Sequence, residues 1–187
     1  MASQLPTLRV ASLDDHAAID ALMKASTRDL FPAFYDARQT ASSIAHIAQP
    51  DRMLIEDGTY FVIEADGEVI ACGGWSRRDK LFSGSTEQEG KARLLDPATE
   101  PARVRAMFVR ADWTRRGLGT RILEASRSAA RDEDFVMLSL MATLPGLLLY
   151  ERFGFRIVER VTITLPDGVR LGCATMEMPV GLPTGLP

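Results

Sequence analysis

The chain has 187 residues, 46% of them hydrophobic and 25% charged, the balance of an ordinary globular protein that can bury a core without disulfide or metal staples. Its formal charge of −3 argues against a general nucleic-acid binder, which presents a strongly basic face. Two cysteines, Cys72 and Cys173, with no CxxC and no His/Cys cluster, offer no metal-ligand spacing and suit a reducing compartment.

The first ten residues lack a charged start followed by an apolar core, so no signal peptide is expected. Apolar runs such as Leu147–Tyr150 are far too short to span a bilayer, and a cytoplasmic protein without membrane partners is expected. Thr7–Ala11 reads as a first strand. Ser12 with Asp15 three residues on is a capping-box pattern, and Ile19, Leu22, Met23, Ser26 and Leu30 then recur at helical spacing until Pro32. A second helix is predicted over Thr40–Ala48, with Ile44, Ile47 and Ala48 on its apolar side and Pro50 beyond it.

Three strands are predicted next, over Met53–Glu56, Tyr60–Ala65 and Glu68–Trp75, joined at Asp57-Gly58 and Asp66-Gly67. Residues 77–102 break the pattern with Gly84, Gly90, Pro97 and Pro101; the segment reads equally as a solvated insertion and as a lid over a substrate site. Arg103–Val109 resumes as a strand. If it is regular, Val104, Ala106 and Phe108 share one face, and Arg103, Arg105, Met107 and Val109 the other. A helix opens near Gly117 with Leu118, Ile122, Ala125 and Ala129 on one side. Phe135–Ala142 is a buried strand, Pro145–Phe153 a short helix stopped by Gly154, and Phe155–Leu165 with Val169–Met178 a hairpin. Residues 181–187 read as an unstructured tail after a domain spanning 1–180. The order predicts one mixed α/β domain around a central, mostly antiparallel sheet of about seven strands, with helices on both faces.

The chemistry concentrates at Arg115-Arg116-Gly117-Leu118-Gly119-Thr120. The glycines admit close approach to the backbone, the first helical amides lack internal partners, and two arginines add full charges, which together suit a pyrophosphate. A Walker loop would need Gly-Lys-Ser/Thr, and a dinucleotide fingerprint a third glycine; neither is present. A second segment, Leu149-Tyr-Glu-Arg-Phe-Gly-Phe155, follows one helix and one strand later. The two motifs in this order resemble the GNAT acetyltransferase superfamily, and the likeness covers nearly the whole chain.

The resemblance implies an acetyl-CoA-dependent N-acetyltransferase acting on a primary amine of a small molecule, without a metal. The acetyl group and pantetheine arm would lie along the fourth strand at Met107, Phe108 and Val109. The pyrophosphate would sit on the backbone of Arg115, Arg116, Gly117, Leu118, Gly119 and Thr120. Tyr150 matches the family's general acid, while a packed core tyrosine is the plainer reading of the same residue. Thr114 departs from the family's usual Gln or Arg, and Arg115 could supply that charge. Some members carry a basic glutamate four residues before the position of Met107; Arg103 stands there instead, and Glu56, Glu64 and Glu100 are the carboxylates at hand. Arg103 and Arg105 suit an anionic acceptor bearing carboxylate or phosphate, or equally ion pairs with acids of the 77–102 insertion. The rival from another class is a non-catalytic acyl-CoA-binding regulatory module, which would need no Tyr150. Strands exposed near the carboxyl end are compatible with a homodimer.

Overall fold

The computed structural model describes residues 5–80 and 93–181. The tip of the 77–102 insertion and the 182–187 part of the tail therefore lie outside the described residues. Seven strands form one sheet: β1 (Thr7–Val10), β2 (Tyr60–Ala65), β3 (Glu68–Ser76), β4 (Ala102–Val109), β5 (Met137–Thr143), β6 (Arg156–Thr164) and β7 (Arg170–Pro179). Their order is β1-β2-β3-β4-β5-β7-β6, and every neighbouring pair is antiparallel except β4 and β5. That parallel pairing is confined to Ala102 opposite Leu138 and Arg103 opposite Ser139; beyond it the strands diverge.

Helices α1 (His16–Leu30), α2 (Ala37–His46) and α3 (Arg52–Glu56) precede β2, α4 (Leu118–Asp132) joins β4 to β5, and α5 (Leu147–Phe153) joins β5 to β6. Ile19, Leu22 and Met23 of α1 pack with Leu54 of α3 on Val62, Cys72 and Phe108. On the opposite face, Leu118 and Ile122 of α4 pack on Ile63, Ile70 and Ala71. Neighbours Val62 and Ile63 thus serve opposite faces, as strand alternation requires. A third cluster joins Leu123 and Ala130 of α4 to Leu138, Leu140 and Met176.

Three expectations are corrected. Met53–Glu56 is not a strand but α3: the Asp51 carboxylate accepts from the Met53 amide at 3.1 Å, and Gly58 at φ +70 ends the turn, with Thr59 N–H reaching back to Leu54 O at 3.1 Å. Asp57-Gly58 is thus a helix stop and not a hairpin turn. The second helix starts three residues earlier than predicted, because Asp36 and Gln39 form a reciprocal capping box, and its buried residues are Thr40, Ser42 and Ser43. The third correction concerns β4. Cys72 pairs with Phe108 and Gly74 with Arg105, so Ala106 and Met107 share the space opposite Gly73, and Ala106 takes φ +53. This bulge reverses the alternation midway. Arg105 and Met107 consequently face opposite sides of the sheet.

Gly73 leaves room for the bulge, since a Cβ there would collide with Met107 Sδ; a Cβ on Gly74 would instead meet the Thr59 carbonyl ahead of β2. The described ends of the insertion are fastened together: Leu95 N–H donates to Arg77 O at 2.8 Å, Arg78 bridges Leu94, and Leu95 is buried. Among the described residues no helix is long and apolar enough to cross a membrane.

Candidate active site

The divergence of β4 from β5 opens a cleft of about 570 Å³. Ala106–Val109 of β4 form one wall, Met141 and Thr143 of β5 the other. The α4 entry closes one end through Trp113–Arg115 and Gly117–Thr120, the turn before α5 contributes Pro145 and Gly146, α5 contributes Leu148–Tyr150 and Arg152, and Ser26, Leu30, Phe31 and Ile47 complete the lining from the opposite face.

The α4 entry is built for an anion. Arg115 at φ +61 and Gly117 at φ +77 turn the chain sharply, and the glycine caps the helix. Of the first four helical amides, Arg121 N–H bonds Gly117 O at 3.0 Å, leaving Leu118, Gly119 and Thr120 without an internal acceptor. The fifteen-residue helix adds its dipole at this point. Arg115 is exposed at the cleft mouth. The Arg116 guanidinium lies 4.5 Å from the Trp113 ring centroid and outside the lining. Gly119 is tied to α5, because a Cβ there would run into Leu149 Cδ2 at 2.7 Å.

Two hydroxyls fix the β4 wall. Tyr60, 2% exposed, donates to Ala106 O at 2.6 Å, holding the bulge residue from beneath. Ser26 of α1 donates to Val109 O at 2.8 Å. At the far wall, Tyr35 donates to Gly172 O at 2.7 Å and accepts from Leu144 N–H at 2.9 Å, anchoring the turn that leads into α5.

Tyr150 lines the cleft at 8% exposure, its ring edge-on to Phe155 and against Gly146. Its hydroxyl makes no hydrogen bond among the described residues, and burial pushes the phenol above its ordinary value. It therefore stays protonated across the working pH range and can give a proton.

The site residues expected from sequence divide into those that share the cleft and those, Arg116 among them, that stand outside its lining. Met107, Phe108, Val109, Arg115, Gly117, Leu118, Gly119, Thr120 and Tyr150 share the cleft. Arg103 and Arg105 are not in its lining and are engaged elsewhere. Arg103 donates to Ser139 Oγ at 2.7 Å and to Asp79 at 3.2 Å, an acid of the insertion. The Arg105 side chain, 2% exposed, donates to Asp51 at 2.9 Å, and Lys80 approaches the same carboxylate at 3.2 Å. Burial alone would raise the Asp51 carboxyl, but Arg105 and Lys80 outweigh it and hold the group below its ordinary range. Glu56, Glu64 and Glu100 stand outside the lining in ion pairs with Arg52, Arg9 and Arg93. The lining from Ser26, Leu30, Phe31 and Ile47, and the Tyr60 support, were not read from sequence. Among the described residues no group of His, Cys, Asp and Glu could hold a metal ion.

The Acetyltransferase (GNAT) domain family matches residues 56–157, more than half of the chain. No curated protein sequence matches. Among solved structures the fold is similar to a GCN5-related N-acetyltransferase from Rhodopseudomonas palustris, at TM-score 0.71 and 18% identity over 96% of this chain and 98% of that one. It is also similar to the PaiA N-acetyltransferase from Thermoplasma acidophilum in complex with coenzyme A, at TM-score 0.65 and 12% identity over 94% and 99%. A third likeness is to YncA, a putative acetyltransferase from Salmonella typhimurium with acetyl-CoA, at TM-score 0.63 and 16% identity over 98% and 99%.

Proposed function

The chain belongs to the GNAT acetyltransferase family and is an acyltransferase, and from that premise we propose that it moves an acetyl group from acetyl-CoA to a primary amine of a small molecule. The observation that carries the reading is the coincidence of the α4 entry, the β4 bulge and Tyr150 in one cleft. Acetyl-CoA would supply an activated thioester. The unpartnered amides of Leu118, Gly119 and Thr120, with Arg115 beside them, fit its pyrophosphate. The extended backbone at Met107, Phe108 and Val109 suits the amide-bearing arm, and the gap beyond the two-residue β4–β5 pairing has room for it. Tyr150, kept protonated by burial, fits the proton donor to the departing thiolate.

Direct attack by the amine is favoured over an acyl-enzyme. Neither Cys72 nor Cys173 lines the cleft, and burial pushes their thiols up to about 12 and about 11, so neither is a thiolate near neutrality. The lining hydroxyl of Ser26 is committed to Val109 O.

The test combines calorimetric titration with turnover. Acetyl-CoA and CoA are expected to bind at micromolar affinity and ATP much more weakly. Tyr150→Phe is expected to lower kcat by roughly ten- to a thousandfold while leaving acetyl-CoA affinity within about twofold. No binding of either CoA species would sink the reading. Binding with no turnover of any amine would favour a non-catalytic acyl-CoA-binding module.

A further inference from the structure

Resting on the acetyltransferase reading, we propose that the acceptor is a weakly basic amine on an apolar body, already neutral near pH 7, such as an arylamine or arylhydrazine. With the α4 entry and the Met107–Val109 wall given to the cosubstrate, Leu30, Phe31, Ile47 and Met141 form an apolar wall on the acceptor side, and the aliphatic hydroxyls beside it are Ser26, committed to Val109 O, and Thr143. Among the described lining residues there is no Asp, Glu, His or Lys, and the charged side chains are Arg115 and Arg152.

That composition bears on the amine in two ways. An alkylammonium would be stripped of water beside the apolar wall, with no carboxylate among the described lining residues to compensate it. It would also have to lose a proton before attacking, and none of the described lining side chains is a base for it. With an ordinary amine value near 10.4, only about one molecule in a thousand is neutral at pH 7.4. The β4 arginines that might have drawn an anionic acceptor are occupied, Arg103 with Asp79 and Ser139, Arg105 with Asp51.

A weakly basic amine needs neither partner. Its nitrogen lone pair forms the C–N bond to the thioester carbonyl carbon, and the C–S bond breaks. The sulfur takes the proton of Tyr150. The proton lost by nitrogen passes to water, and solvent returns one to Tyr150. Amine plus thioester become amide plus thiol, with no redox change.

The test compares kcat/KM at saturating acetyl-CoA for p-toluidine and phenylhydrazine against phenethylamine, spermidine and glutamate, from pH 6 to 9. The two weakly basic amines are expected to exceed each of the others tenfold or more at pH 7, with little pH dependence, while phenethylamine rises about tenfold per pH unit with its own neutral form. Equal or better use of phenethylamine, spermidine or glutamate at pH 7 overturns the proposal, and so does turnover of none of the five by protein that binds acetyl-CoA. Leu30→Glu, at a partly exposed wall position, is expected to improve phenethylamine relative to p-toluidine at least tenfold; an unchanged ratio counts against the wall assignment. Calorimetry on the same preparation keeps the two readings apart. Failure to bind acetyl-CoA defeats the acetyltransferase reading, whereas binding with a preference for cationic amines defeats only this inference.

Discussion

Replacing Asp51 by alanine is expected to destabilise the protein out of proportion to the few atoms removed. The Asp51 side chain is 7% exposed and its partner Arg105 2%, whereas Lys80, at 22%, can turn to solvent when the carboxylate is gone. Arg105 lies far deeper, and removing one partner of a buried ion pair costs about 3–5 kcal/mol. Asp51 also caps α3 through the Met53 amide, an interaction of about 1 kcal/mol that overlaps the first. A loss of about 4 kcal/mol follows. With a urea slope of about 2–3 kcal/mol/M, the midpoint falls by roughly 1.3–2 M. The assay is urea unfolding at pH 7 for Asp51→Ala, Arg105→Met and the double variant. Arg105→Met leaves Asp51 with Lys80 and is expected to cost about half as much. The double variant removes both charges and is expected to be more stable than Asp51→Ala alone. A loss below about 1 kcal/mol for Asp51→Ala, or a double variant weaker than both singles, would refute the argument that a buried charge dominates here.

Tyr60→Phe removes the donor to the half-buried Ala106 carbonyl. Thermal unfolding should register a loss of about 1–2 kcal/mol, a melting point lower by roughly 2–8 °C, and an unchanged melting point would mean the bulge needs no such support. Acid should weaken the β1 corner: Arg9 hydrogen bonds draw the Asp15 carboxyl down from 3.8 to about 2. A carboxyl depressed by folding stabilises above its unfolded value, so this contribution is complete above about pH 4 and fades as pH falls towards 2. With Arg9 37% exposed, about 1 kcal/mol is expected after solvent screening. Urea midpoints at pH 5 and pH 2.5 should therefore fall less in Asp15→Asn than in the native chain, and parallel falls would contradict the assignment.

The fold was legible where local signals and burial agreed. Asp66-Gly67, both at positive φ, turn the β2–β3 hairpin as its sequence predicts, and Ile19, Leu22 and Met23 bury as their spacing requires. Met53–Glu56 misled because four residues with apolar neighbours Leu54 and Ile55 fit a buried strand and one helical turn equally well. Only the Asp51 cap and the Gly58 stop decide between them. The cosubstrate end of the site was readable because its glycines and arginines are contiguous. The acceptor end was not, since Leu30, Phe31, Ile47 and Met141 are ordinary apolar residues brought together by tertiary packing. The directions of Arg103 and Arg105 were misjudged because nothing in an alanine announces a positive φ. Ala106 adopts it opposite Gly73 and with its carbonyl held by the Tyr60 hydroxyl, both supplied by other strands.

The short β4–β5 pairing has a bearing on how this architecture tolerates change. The opening between the strands arises from where main-chain pairing stops, after Arg103 and Ser139, and not from small side chains that leave a hole. Point substitutions along its walls can retune what enters, but they leave the opening in place. Only a shift in strand register, such as one residue added to or removed from β4, would close it or turn its lining to the other face. Structures at 12–18% identity to this chain share its fold.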